Sequence, residues 1–233
     1  MRGLQTAKFK PGIQRGQRFV EGSWLPPMEQ GYSRAIPIRC LSAFTGKSVA
    51  SEDGPRTEVE AGLSILHWTR QQLDEAGRHE QMLMTLNDGS YDTLQFWPGL
   101  PERTIGVVRT ARNRCLFELP AADAHGNRKY GEKAPAPHTW LQKRKGFQYQ
   151  DVMVRGRSRT MRYRVEGPYV RDELPDIPLF LIVIGGGKRP TGSRRKSYKP
   201  CFFLVSAVLI DGEWSLPLPI AELLAWLWQR WEL

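Results

Sequence analysis

No apolar run in this 233-residue chain reaches the roughly 18 residues that a bilayer-spanning helix needs. The opening MRGLQTAKFKPGIQRG is basic but has no apolar stretch of the kind a secretory leader carries. Neither membrane insertion nor export is expected, and the cytoplasm is the expected compartment. Cysteine is scarce: Cys40, Cys115 and Cys201 are far apart and form no CxxC pair, which speaks against a disulfide frame or a cysteine zinc site. They read as buried thiols in a reducing environment. His67, His79, His125 and His138 show no ligand spacing, no nucleophile elbow is present, and no serine or cysteine has a histidine at a suggestive interval. The segment GGGKRP has no glycine five residues before Gly187 and no Ser or Thr after Lys188, so it reads as a flexible basic turn, not a phosphate loop.

What the chain does have is positive charge in one place. Its formal charge is +10, and residues 128–199 hold 18 Lys/Arg against 6 Asp/Glu, a net +12 that leaves −2 for the remainder. Such a concentrated field is the footprint of a phosphate-backbone partner, which it attracts chiefly by releasing counterions. The alternative is a solvated basic face. Arg155, Arg157, Arg159, Arg162 and Arg164 recur at near period-two spacing, which would set several on one strand face. Lys188, Arg189, Arg194, Arg195 and Lys196 follow in the Gly-rich turn and beyond it.

Hydrophobic pattern gives the organisation. The first twenty residues show no period and read as irregular. Residues 32–44 alternate as a strand with Pro37 near an edge, and residues 58–76 repeat at helical spacing with Gly77 as the stop. Residues 82–86 read as a buried strand, 91–100 as a short helix closed by Pro98 and Gly99, and 104–110 as another strand. That alternation implies an α/β layer built partly on parallel pairing. From 115 to 211 the chain turns β-branched, aromatic and basic, with strands read in FQYQDVMVRG, TMRYRVEGPYV, LFLIVIGGGKR and PCFFLVSAVLIDGEW. Pro217 and Pro219 open a last helix with Ile220, Leu223, Leu224, Leu227 and Trp231 on one face; Trp226, Trp228 and Trp231 read either as core or as a base-stacking surface.

Asp88 begins a tight turn in LNDGSYDT, and Asp-Gly is a common turn pair. It also follows an apolar strand, and reactive side chains in open α/β sheets gather beyond the carboxyl ends of strands. The stretches LNDGSYDT and LPERTIGVVRTARNRCLFELP, then a basic β-rich stretch, then FFLVSAVLIDGEWSLPLPIAELLAWLWQRWEL, resemble the insertion-sequence transposases of the DDE class in which a β-rich insertion separates the second Asp from the glutamate helix. The resemblance runs from Gln17 onward. It implies an α/β fold: an incomplete RNase H-like core over 1–114, a basic β-rich insertion over 115–212, and the start of the catalytic-glutamate helix over 213–233.

What the resemblance implies for function follows residue by residue. Asp88, with Tyr91, fits the family's second catalytic and metal-binding Asp. Arg230 fits the arginine of the final helix, Leu227 stands where that motif has Tyr, and its Glu would fall one position past Leu233. No acidic residue precedes Glu21, so no first Asp is recognised, and the chain reads as truncated at both ends. Relatives use Mg²⁺ to cleave and join double-stranded DNA at element terminal repeats, a chemistry that needs carboxylates converging on ions about 4 Å apart. One carboxylate does not make that site, so the expectation is an inactive fragment whose arginines and lysines hold DNA. The alternative is a non-catalytic DNA-binding remnant or a partner of a full-length transposase, and the expected protein partner is a second copy of the chain (a homodimer) or that transposase. An RNA-binding β-domain is a third reading, against which stands the absence of a glycine-aromatic recognition signature.

Overall fold

The computed structural model describes residues 2–5, 13–16, 18–27, 29, 32–43, 57–120, 129–143, 145–154, 156–186 and 199–231. The chain divides into two compact units, one of residues 1–26, 34–81 and 99–103, the other of 27–33, 82–98 and 104–233.

In the first unit β1 (Arg2–Gln5) pairs antiparallel with β2 (Ile13–Gly16), and β3 (Arg18–Trp24) with β4 (Ile36–Ala43). The opening residues, read as irregular, therefore include strands: their order comes from cross-strand hydrogen bonds, which leave no period in so short a run. Pro37 lies beside the register shift between Gly22 and Ser23, as its missing N–H requires. Helix α1 (Glu58–Glu75) starts where a capping box stands ready: Thr57 Oγ1 accepts from Glu60 N at 3.1 Å, and Glu60 Oε2 accepts from Thr57 N at 2.9 Å. It stops at Gly77, whose φ of 72° suits a residue without Cβ. Cys40 is exposed and Cys115 and Cys201 only half-buried, so the thiols are not all core residues as expected; all three are free.

At the end of α1, Asp74 receives Arg70 Nη2 at 2.9 Å, His79 Nδ1 at 3.4 Å and Arg103 Nη2 at 3.5 Å. Desolvation pushes its carboxyl up, but the hydrogen bond and charge of Arg70, with Arg103 and His79, outweigh it and hold the group below the usual carboxylate range. A lowered native value means stabilisation that is full above the unfolded carboxylate range and lost as pH falls through the native one. Asp74→Asn is therefore expected to lower the urea midpoint at pH 7 and to leave it unchanged near pH 2. An equal loss at both pH values would show that charge is not the cause.

The second unit is one mixed sheet with a helix. Its strands are β5 (Leu83–Asn87), β6 (Thr104–Arg109), β7 (Phe117–Glu118), β8 (Gln148–Val154), β9 (Arg157–Arg171), β10 (Leu174–Ile184) and β11 (Cys201–Ser206). They lie in the order β5-β6-β11-β10-β9-β7, with β8 also on β9. A hairpin, β12 (Val208–Ile210) and β13 (Glu213–Ser215), turns at Asp211 and Gly212 and leads to α2 (Ile220–Trp231). One sheet face carries Val107, Val152, Met161, Ile182 and Phe203 against Leu223, Leu224 and Leu227 of α2, as the apolar face of that helix foretold. Burial of this face is the main stabilising term, at about 25 cal/mol per Å² of apolar surface.

Parallel pairing occurs where it was expected, between β5 and β6. The α/β, RNase H-like reading is nonetheless overturned: strand makes up 44% and helix 21% of the described residues, and the sheet is curled and mixed. The expected helix over 91–100 does not form. A single 3-10 turn (Gly89–Tyr91) is followed by irregular turns, because Tyr91, Phe96 and Trp97 pack edge-on upon one another at 5.4 and 5.8 Å and all three are buried. Residues on one helical face cannot all do that; a folded-back loop can. Among the described residues the other strand pairs are antiparallel, so the crossover helices that define the α/β class are not called for.

Candidate nucleic-acid interface and the Asp88 turn

Asp88 follows the last residue of β5 in extended conformation and caps the 3-10 turn: its Oδ1 accepts from Ser90 N at 3.0 Å and from Ser90 Oγ at 2.6 Å. The turn role and the strand-end position are both realised, and the side chain is exposed.

The next carboxylate, Asp92, was not singled out by its sequence. Its side chain is 1% exposed, and it receives Arg114 Nη2 at 2.5 Å, Arg171 Nη1 at 3.2 Å, Thr110 Oγ1 at 2.6 Å and Trp97 Nε1 at 3.4 Å. Arg114 also donates to the Asp92 carbonyl at 3.2 Å, and Arg171 reaches Glu173 at 3.4 Å. This network ties the loop after β5 to the end of β6 and to β9. No local signal could have found it, since Asp92 and Arg171 are 79 residues apart.

The donor set does not suit a divalent ion. Among the described residues no group of three His, Cys, Asp or Glu side chains could hold a metal. Asp92, the acid nearest Asp88 in sequence, spends its oxygens on two arginines, a threonine and a tryptophan. The residues described do not fit the Mg²⁺ that the family resemblance implied.

The arginines divide between the two faces of β9. Arg159 lies on the face of Met161 and Tyr163, with its guanidinium 5.5 Å from the Trp228 ring, and Arg157 at the strand start is exposed. Arg162 and Arg164 lie on the opposite face. Arg162 sits 4.3 Å over Phe147, and Arg164 sits 4.3 Å over Trp140, pairs with Glu166 and donates to the Lys145 carbonyl at 2.7 Å. Lys143 Nζ stands 4.1 Å from the same Trp140 ring. Gly185, the first glycine of the Gly-rich segment, leaves room for Arg162: a Cβ there would meet its Nε at 2.5 Å. Among the described arginines of that set the strand therefore puts two on each face, because the step from 159 to 162 changes parity in a strand whose side chains alternate.

Arg155, Lys188, Arg189, Arg194, Arg195 and Lys196 lie outside the described residues, as does the side chain of Arg230, whose backbone is in α2. Trp228 is half-buried against the core cluster, which supports packing for that ring. The aromatic partners Trp140 and Phe147 were missed, although cations interleaved with rings in WLQKRKGFQY are the pattern from which such stacks form. Burial and the carboxylates Glu166 and Glu118 push the Tyr169 phenol up to about 12, leaving it a neutral member of the β9 core. Among the described residues no helix is long and apolar enough to cross a membrane. No family model matches the chain, and no curated protein matches it either.

Proposed function

We propose that this chain is a DNA-binding relative of the insertion-sequence transposases that holds element ends without cutting them. The observation that carries the reading is the confinement of the whole positive excess to residues 128–199, whose described part is built into β8–β10 and the loops around them. Lys143 there is exposed and rests on the Trp140 ring, an arrangement that holds a cation near the surface for phosphate. Asp88 at the end of a strand of a parallel pair fits the second acidic position of the family, and its Oδ1 caps its own turn.

Binding is measured by fluorescence anisotropy on labelled duplex DNA across a salt series. Engagement of about five phosphates would give log K against log salt a slope of about −4.5. With Mg²⁺ present, uncut DNA is the expected product. A slope near zero, or cleavage that Asp88→Ala abolishes, would overturn the reading.

A further inference from the structure

Strand β8 has two unlike faces. Val152 and Val154 are 4% and 0% exposed and belong to the core that meets α2. On the other face Tyr149 is 68% and Met153 47% exposed. Tyr149 lies directly across from Arg162 in the antiparallel register. Among the described residues its ring has no aromatic or cationic partner, whereas Trp140 and Phe147 nearby are already covered by Lys143, Arg164 and Arg162. Arg162 itself is packed into this face, its guanidinium over Phe147 and its Nε buried, and it backs the platform. Lys143 and Lys145 are exposed on the segment that leads into β8. Two acids lie on this face: Glu166 is paired with Arg164, and Asp151 accepts from Thr160 Oγ1 at 2.5 Å and opposes phosphate toward the Met153 end.

We infer that the outer face of β8 and β9 is a stacking platform for unpaired bases, with Tyr149 as the exposed ring and Lys143 and Lys145 facing the phosphates of a single strand. A duplex hides its base faces in the stack and gains nothing from an exposed phenol; a single strand can lay a base on it. The net positive charge of the surrounding stretch supplies complementarity, and the bound strand runs toward the lysines, away from Asp151. The inference rests on the nucleic-acid reading above and adds which form of the strand this face takes.

The test uses the full chain with two labelled probes, a thymidine oligonucleotide and a duplex of equal length, by anisotropy at fixed salt. Tyr149→Ala is expected to weaken single-strand binding about tenfold, Tyr149→Phe to keep it within about twofold, and neither to change duplex binding. Lys143→Ala should flatten the single-strand salt slope by about 0.7. Tyr149 is exposed, so both of its variants should keep the wild-type urea midpoint, which separates lost binding from lost folding. If the wild-type chain binds duplex but not single strand, or if Tyr149→Ala binds single strand as wild type does, the platform is wrong while the DNA reading stands. If neither probe is bound, the DNA reading itself fails.

Discussion

Asp92→Ala lowers stability by about 3–5 kcal/mol in urea denaturation, the range for removing one partner of a buried ion pair. The reason is what stays behind. Arg171 is 5% exposed and loses its Asp92 contact, retaining Glu173 at 3.4 Å, while Thr110 and Trp97 lose their acceptor inside the protein. Stability of a domain is ordinarily about 5–15 kcal/mol, so the loss is a large part of the whole. Asp92→Asn keeps an acceptor of the same shape and should fall between wild type and alanine. Asp88→Ala is the instructive comparison: Asp88 is exposed and caps a single turn, so its removal should cost no more than about 1 kcal/mol. Far-ultraviolet circular dichroism across the urea series reads the transition for each variant. A loss under about 1 kcal/mol for Asp92→Ala would mean the arginines find other partners and the network does not anchor the loop.

Phe203→Ala costs about 3–5 kcal/mol by a different route. Phe203 is 2% exposed on β11 in the centre of the sheet, opposite Ile182 on one side and Arg109 on the other, and belongs to the core cluster with Leu223, Leu224 and Leu227 of α2. Truncation removes apolar contact and leaves a cavity between two rigid layers, where relaxation is limited. Phe203→Leu, which retains most of the volume, should recover the greater part. Denaturation followed by far-ultraviolet circular dichroism measures both. If alanine and leucine destabilise alike, the site collapses freely and the sheet–helix core is looser than its burial indicates.

The elements written by short-range pattern were legible. Thr57 and Glu60 stand three apart as a capping box requires, Gly77 stops α1, and the spacing of Leu223, Leu224 and Leu227 gave α2 its buried face. Strands β8, β9, β10 and β11 were read from their β-branched and aromatic runs. The loop over 91–98 was not legible, because Tyr91, Phe96 and Trp97 are compatible with a helix until one knows that they pack on each other. At the candidate site the sequence marked Asp88 and the arginines of β9 but not Asp92, Arg114, Arg171, Trp140 or Tyr149. A lone Asp or Tyr carries no periodic signal, and its role depends on what stands opposite.

By itself the sequence determined where the charge is, which segments alternate and which repeat at helical spacing, and that Asp88 opens a turn after an apolar strand. All of these arise from interactions within a few residues along the chain. Only the tertiary structure decided that Asp92 is locked by Arg114 and Arg171, that β9 turns Arg162 and Arg164 away from Arg159, and that the strands make a mixed sheet instead of an α/β layer. Those outcomes depend on strand order and register, which are chosen by total burial and hydrogen bonding across residues distant in sequence.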